Sequence, residues 1–86
     1  MELWIRSQDK EKLLKVNDIA IEMNMIYGYY DKNTEYELLG QYKSKERALE
    51  VLDEIQRKIE SYKSEYNDSG ITFKEVSTVV YEMPEN

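Results

Sequence analysis

The chain has 86 residues, 18 of them acidic and 12 basic, for a net charge of −6. It contains no Cys and no His. That excludes a disulfide framework, a thiolate nucleophile, a Cys-ligated metal and the commonest zinc ligand and general base. No apolar run approaches the roughly 20 residues of a membrane span. The opening Met1-Glu2-Leu3-Trp4-Ile5-Arg6 lacks the basic-then-apolar pattern of a secretory signal, so the cytoplasm of a bacterial cell is the expected location.

The elements follow in chain order. Leu3 and Ile5 alternate with Trp4 and Arg6, a strand pattern of period two. Ser7-Gln8-Asp9-Lys10 reads as a turn, and Leu13-Leu14-Lys15-Val16 as a second strand. Asn17-Asp18 has the composition of a two-residue hairpin turn into a third strand, where Ile19, Ile21 and Met23 alternate with polar or small residues. A softer turn near Asn24 leads to a strand over Met25–Tyr30. Asp31-Lys32-Asn33-Thr34 is a hairpin loop, and Tyr36 to Tyr42 the returning strand. Gly40 within it marks a bulge or a close approach.

Ser44 is the expected N-cap of a helix over residues 44–66. Ala48, Leu52, Ile55, Ile59, Tyr62 and Tyr66 recur at steps of three and four, a continuous apolar stripe widened by Leu49 and Val51. This places Leu52, Ile55 and Ile59 against the sheet, with Leu38, Ile21 and Val79 as partners, and Glu54 on the outer face. Asn67-Asp68-Ser69-Gly70 stops the helix. A β-branched final strand spans Ile71 to Tyr81, and residues 83–86 follow as a loose tail. The expectation is one α+β domain over 1–86. An antiparallel sheet of four to five strands packs on one long helix, with a final strand after it.

A helix of that length overhangs a six-residue strand by several ångströms. Tyr62 and Tyr66 carry the apolar stripe into the overhang, where a second subunit is expected to cover them. An acidic chain is a poor nonspecific binder of phosphate backbones, so direct nucleic-acid binding is not expected. Beyond Lys74 the only charges are Glu75, Glu82 and Glu85. Such an acidic surface serves solubility or docks on a basic partner.

Few motifs carry chemistry. Ser7-Gln8-Asp9-Lys10 matches S-x-x-K, but a chain this small lacks the fold and the further motifs that a penicillin-recognising enzyme needs. No Gly-rich phosphate loop, metal-ligand cluster or catalytic carboxylate pair stands out, so neither a cofactor nor enzymatic activity is expected. Trp4 and Arg6 share one strand face, where an aromatic ring beside a guanidinium can stack a base and hold a phosphate, or anchor a protein interface. The plain reading puts Trp4 in the core and pairs Arg6 with a helix carboxylate. Arg47 sits in the first helical turn, where a cation is mildly unfavourable unless an anion lies nearby. A bound phosphate would supply one; so would Glu50 or a sheet carboxylate.

The segments Leu3-Trp4-Ile5-Arg6-Ser7-Gln8-Asp9-Lys10, Leu39-Gly40-Gln41-Tyr42 and Glu46-Arg47-Ala48-Leu49-Glu50-Val51-Leu52-Asp53-Glu54-Ile55-Gln56 resemble those of a family of small proteins from Gram-positive bacteria, their phages and prophages. The resemblance covers residues 1–56 and the Tyr81-Glu82-Met83-Pro84-Glu85 ending. It implies a phage accessory protein, a class that often counters host defence. The leading expectation is therefore a homo-oligomeric binding protein that sequesters a cyclic or ADP-ribose-type nucleotide signal. Trp4, Tyr27 and Tyr29 would stack the base, and Arg6 and Arg47 would hold phosphate. The alternatives are an acidic inhibitor of a host defence nuclease and an accessory protein with purely structural contacts.

Overall fold

A computed structural model describes residues 2–30, 34–69 and 78–86, and for 62–69 the backbone alone. Among the described residues, six strands and one helix follow in the order β1 (Glu2–Arg6), β2 (Leu13–Val16), β3 (Asp18–Glu22), β4 (Met25–Tyr30), β5 (Glu35–Gln41), α1 (Lys45–Ser69) and β6 (Thr78–Glu82). The α+β class, the long helix and the strand after it are as expected. The strands divide into two sheets of three, with orders β2-β1-β6 and β3-β4-β5. All pairings are antiparallel except β1 with β6, which run parallel after the crossover through α1.

The expected hairpin at Asn17-Asp18 does not form. β2 pairs with β1, whereas β3 pairs with β4. Asn17 is instead the step from one sheet to the other, and its N–H donates to the Tyr29 carbonyl at 2.8 Å. The tight turn lies one strand later, at Met23-Asn24, between the paired residues Glu22 and Met25. Met23 adopts φ 58° there, the left-handed region that opens a two-residue hairpin. Asn24 then clamps the end of β5. Its carbonyl accepts the Tyr42 N–H at 2.9 Å, and its side-chain amide donates to the Tyr42 carbonyl.

The Ser7–Lys12 loop closes β1 onto β2 by side-chain bonding. The buried Ser7 hydroxyl donates to Asp9 Oδ1 at 2.6 Å and accepts the Lys12 N–H at 3.1 Å. Asp9 also accepts the Glu11 N–H. These bonds favour the carboxylate and hold its pKa below the usual range, the Ser7 hydroxyl contributing most. The S-x-x-K match is thus a structured turn.

The inner faces of both sheets and one side of α1 enclose a single core. Its fully buried members are Ile5, Ile26, Leu39, Val51 and Met83, with Ala48 and Ile55 from the helix beside them. Burial of such a side chain stabilises the fold by about 1.5–3 kcal/mol. Val51 is buried deeper than Leu52, and Leu38 faces solvent rather than the helix. A bulge causes the second change. Ile26 pairs with Gly40 and Tyr27 with Leu38, so Leu39 is the extra residue and turns inward while Leu38 turns out. Gly28 and Gly40 meet close neighbours. A Cβ on Gly28 would lie 2.8 Å from Val16 Cγ1, and one on Gly40 would lie 2.8 Å from the Tyr42 hydroxyl.

Residues 83–86 are not a loose tail. Met83 is buried, and its N–H donates to the Arg6 carbonyl at 3.0 Å. The Pro84 carbonyl accepts the Tyr42 hydroxyl at 2.9 Å, and the Glu85 carbonyl accepts the Gln8 amide at 2.8 Å. The Asn86 carbonyl accepts both Nε and Nη2 of Arg47. The sequence shows only Pro84 and polar ends here; the bonds come from partners at least 39 residues away.

Candidate functional site

The five residues expected at a ligand site lie in three places. Trp4 and Arg6 share the outer face of sheet β2-β1-β6, as their alternation requires. Trp4 sits between Lys15 and Val80, and Arg6 between Leu13 and Glu82. Trp4 is half-buried and donates from its indole N–H to Glu2 at 3.3 Å. Arg6 donates to the Lys10 carbonyl at 3.1 Å, which ties it to its own loop.

Arg47 lies at the start of α1. Ser44 caps that helix as expected, accepting the Arg47 N–H on its hydroxyl at 3.0 Å and the Ala48 N–H on its carbonyl at 3.1 Å. The guanidinium faces an open cleft of about 610 Å³ lined by Tyr42, Lys43, Ser44, Glu46 and Glu85 among others. Its donors are engaged within the chain: Nη1 lies 3.2 Å from Glu50 and 3.7 Å from Glu54, and Nε and Nη2 bond Asn86. The negative partners that the helix terminus calls for are these carboxylates.

Glu54 does not sit on an outer face. It also accepts the Tyr81 hydroxyl at 2.7 Å, so it joins the helix to β6. Burial, and then this bond, raises the Tyr81 pKa. Burial likewise pushes the neighbouring Tyr42 up to about 12, against the opposing pull of Arg47.

Tyr27 and Tyr29 occupy the third place, the outer face of sheet β3-β4-β5. Here the structure adds a residue that the sequence reading missed, Tyr36. It pairs directly with Tyr29 across the β4-β5 hairpin. Its ring packs edge-on against Tyr27 with centroids 5.6 Å apart, and tilted against Tyr29 at 5.5 Å. Tyr36 is 60% exposed and Leu38 43%. The available signal was the hairpin composition of Asp31-Lys32-Asn33-Thr34 in the sequence, since alternation from Tyr36 to Leu38 matches that from Tyr29 to Tyr27.

The strand registers lay this face out in three rows. They are Glu22, Met25 and Gln41; Ala20, Tyr27 and Leu38; and Asp18, Tyr29 and Tyr36. Two carboxylates thus flank three tyrosines, and no Lys or Arg shares the rows. A hollow of about 350 Å³ opens among Ala20, Ile21, Glu22, Tyr27, Tyr29 and Tyr36. Ala20 is the smallest residue of its lining and lies opposite Tyr27 on the neighbouring strand.

Tyr62 and Tyr66, expected at a subunit interface, have side chains outside the described residues, as do Phe73 and Val76 of the expected final strand. Among the described residues no group of Asp and Glu is arranged to hold a metal ion, and no helix is long and apolar enough to cross a membrane. No protein-family model, curated protein or solved structure matches the chain.

Proposed function

We propose that this chain is a non-enzymatic binding protein that engages a basic macromolecular partner. In the phage setting implied by the sequence resemblance, that partner is a host defence effector such as a nuclease with a basic groove. One observation carries the reading: the tyrosine face of sheet β3-β4-β5, exposed, flanked by Asp18 and Glu22 and free of cations within its rows. Exposed Tyr is an economical interface residue, because its ring buries much area at the cost of two torsions and its hydroxyl stays hydrated. The carboxylates steer a basic surface toward it.

Nucleotide sequestration draws less support from the geometry. The stacking residues Trp4, Tyr27 and Tyr29 lie on two different sheets, and Arg47 would have to exchange carboxylate and carbonyl partners for phosphate. The two readings separate in a phage-infection assay and a calorimeter. Expression of the chain is expected to protect phage from a nuclease-based defence, with protection abolished by the double variant Asp18→Lys, Glu22→Lys. A panel of cyclic dinucleotides and ADP-ribose derivatives is expected to give no heat. Protection that survives the charge reversal, together with micromolar nucleotide binding that Arg47→Ala removes, would turn the assignment to sequestration.

A further inference from the structure

We infer that the hollow among Ala20, Glu22, Tyr27, Tyr29 and Tyr36 is an arginine socket, which takes the guanidinium of a basic polypeptide onto the tyrosine rings. This inference rests on the function proposed above and narrows it to one side-chain type at one place.

Three observations converge on it. First, the tyrosines are not there to fill the core, which lies on the inner face of the same sheet among Ile19, Ile21, Ile26 and Leu39. Tyr36 leaves 60% of its surface in water while its ring contacts both neighbouring tyrosines. Second, the hollow borders β3, the edge strand of its sheet, and Ala20 contributes only a methyl group to its lining, which leaves room for a long side chain. Third, its charge is uncompensated. Glu22 in its lining and Asp18 at the other end of the same face form no ion pair with any described residue, and no Lys or Arg shares their rows. A cation is therefore the complementary guest.

Guanidinium fits better than ammonium. It is planar, more weakly hydrated and able to stack on an aromatic face while its edge donates to a carboxylate. The hollow offers both, with tyrosine rings on one side and Glu22 at the rim. An ammonium gives up more hydration to enter and presents no flat face to the rings.

The test uses the full chain, a short arginine–serine repeat peptide and its lysine–serine counterpart, followed by calorimetry and by amide chemical shifts. The arginine peptide is expected to shift resonances of Ala20, Glu22, Tyr27, Tyr29 and Tyr36, and to bind at least about fivefold more tightly than the lysine peptide. Tyr36→Ala and Glu22→Gln should each weaken it at least about fivefold, while Tyr36→Phe, which keeps the ring, retains most of the affinity. Both positions are exposed, and an unchanged amide spectrum confirms that each variant is folded. Equal binding of the two peptides, centred on helix carboxylates and indifferent to Tyr36→Ala, overturns the socket and leaves the basic-partner reading standing. No binding of either peptide overturns both.

Discussion

Gly28 and Gln8 show how single positions bind this fold together. Gly28 lies on the inner face of β4, where Val16 of the other sheet and Leu39 of the bulge occupy the space that a Cβ would need. A methyl group there would meet Val16 Cγ1 at 2.8 Å and Leu39 Cδ1 at 2.9 Å, and both neighbours are buried and branched. Gly28→Ala is therefore expected to destabilise the protein by about 1–3 kcal/mol, as overpacking does, despite the lower unfolded-state entropy of Ala. A urea unfolding midpoint measures it, and a midpoint at or above that of the parent would show that the sheets sit farther apart. Gln8 acts in the opposite sense, by reaching. Its amide accepts the Gln41 N–H at 2.8 Å and donates to the Gln41 carbonyl at 3.0 Å, as a strand's backbone would. Its own N–H donates to the Leu39 carbonyl. One glutamine thus joins the β1-β2 loop to β5, and Lys12 reinforces the joint by donating to Glu37 at 2.8 Å. The sequence makes Ser7-Gln8-Asp9-Lys10 a turn, and the structure adds that Gln8 within it joins one sheet to the other.

At the scale of the element, α1 behaves as its periodicity requires, with one rotation. The buried line runs through Ala48, Val51 and Ile55, and Leu52 and Ile59 are half-buried beside it. The rotation brings Glu54 to the margin of the core, within reach of Tyr81. A neutral phenol donates to that carboxylate; an ionised one repels it. The pKa of Tyr81 and Tyr42 is raised in the fold from an ordinary value of 10.0. An unfolded chain ionises both near pH 10, before the folded chain does. Their contribution to stability is thus complete below pH 10 and is lost as the pH rises through about 12. The expected outcome is a steep fall in the urea midpoint above pH 10, with a smaller fall in Tyr81→Phe. A spectrophotometric titration should find Tyr42 and Tyr81 ionising above the ordinary value of 10.0. Identical alkaline profiles for parent and Tyr81→Phe would contradict the assignment.

For the whole molecule, the decisive feature is closure by the last residues. Met83 joins the core, and the carbonyls of Pro84, Glu85 and Asn86 accept hydrogen bonds from Tyr42, Gln8 and Arg47. Those three donors come from the end of β5, the β1-β2 loop and the helix. The tail therefore ties the helix to the joint that Gln8 makes between the β1-β2 loop and β5. Met83→Ala should cost about 2–5 kcal/mol, the range for emptying a buried Met site. Glu85→Ala, which removes only an exposed side chain about 3.9 Å from Lys10, should cost under about 0.5 kcal/mol. Thermal unfolding of the two variants checks this, and equal small losses would restore the loose tail.

Periodicity by itself determined the helix, its cap at Ser44, the strands 13–16 and 25–30, and the pairing of Trp4 with Arg6 on one face. These are local properties, set by the 3.6- and two-residue repeats of side-chain direction. Only the tertiary structure decided which strand pairs with which. The alternation of Leu14, Val16, Ile19 and Ile21 is equally compatible with a β2-β3 hairpin, and the choice against it is made by the loop around Ser7 and by the turn at Met23. Gly40 marked the bulge beside Leu39, but not which side chain it turns inward, because a one-residue slip exchanges inward and outward positions without altering composition. The candidate site shows the same division. Tyr27 and Tyr29 were legible as an aromatic pair on one strand. Their meeting with Tyr36, Ala20 and Glu22 depends on two registers that no single segment encodes.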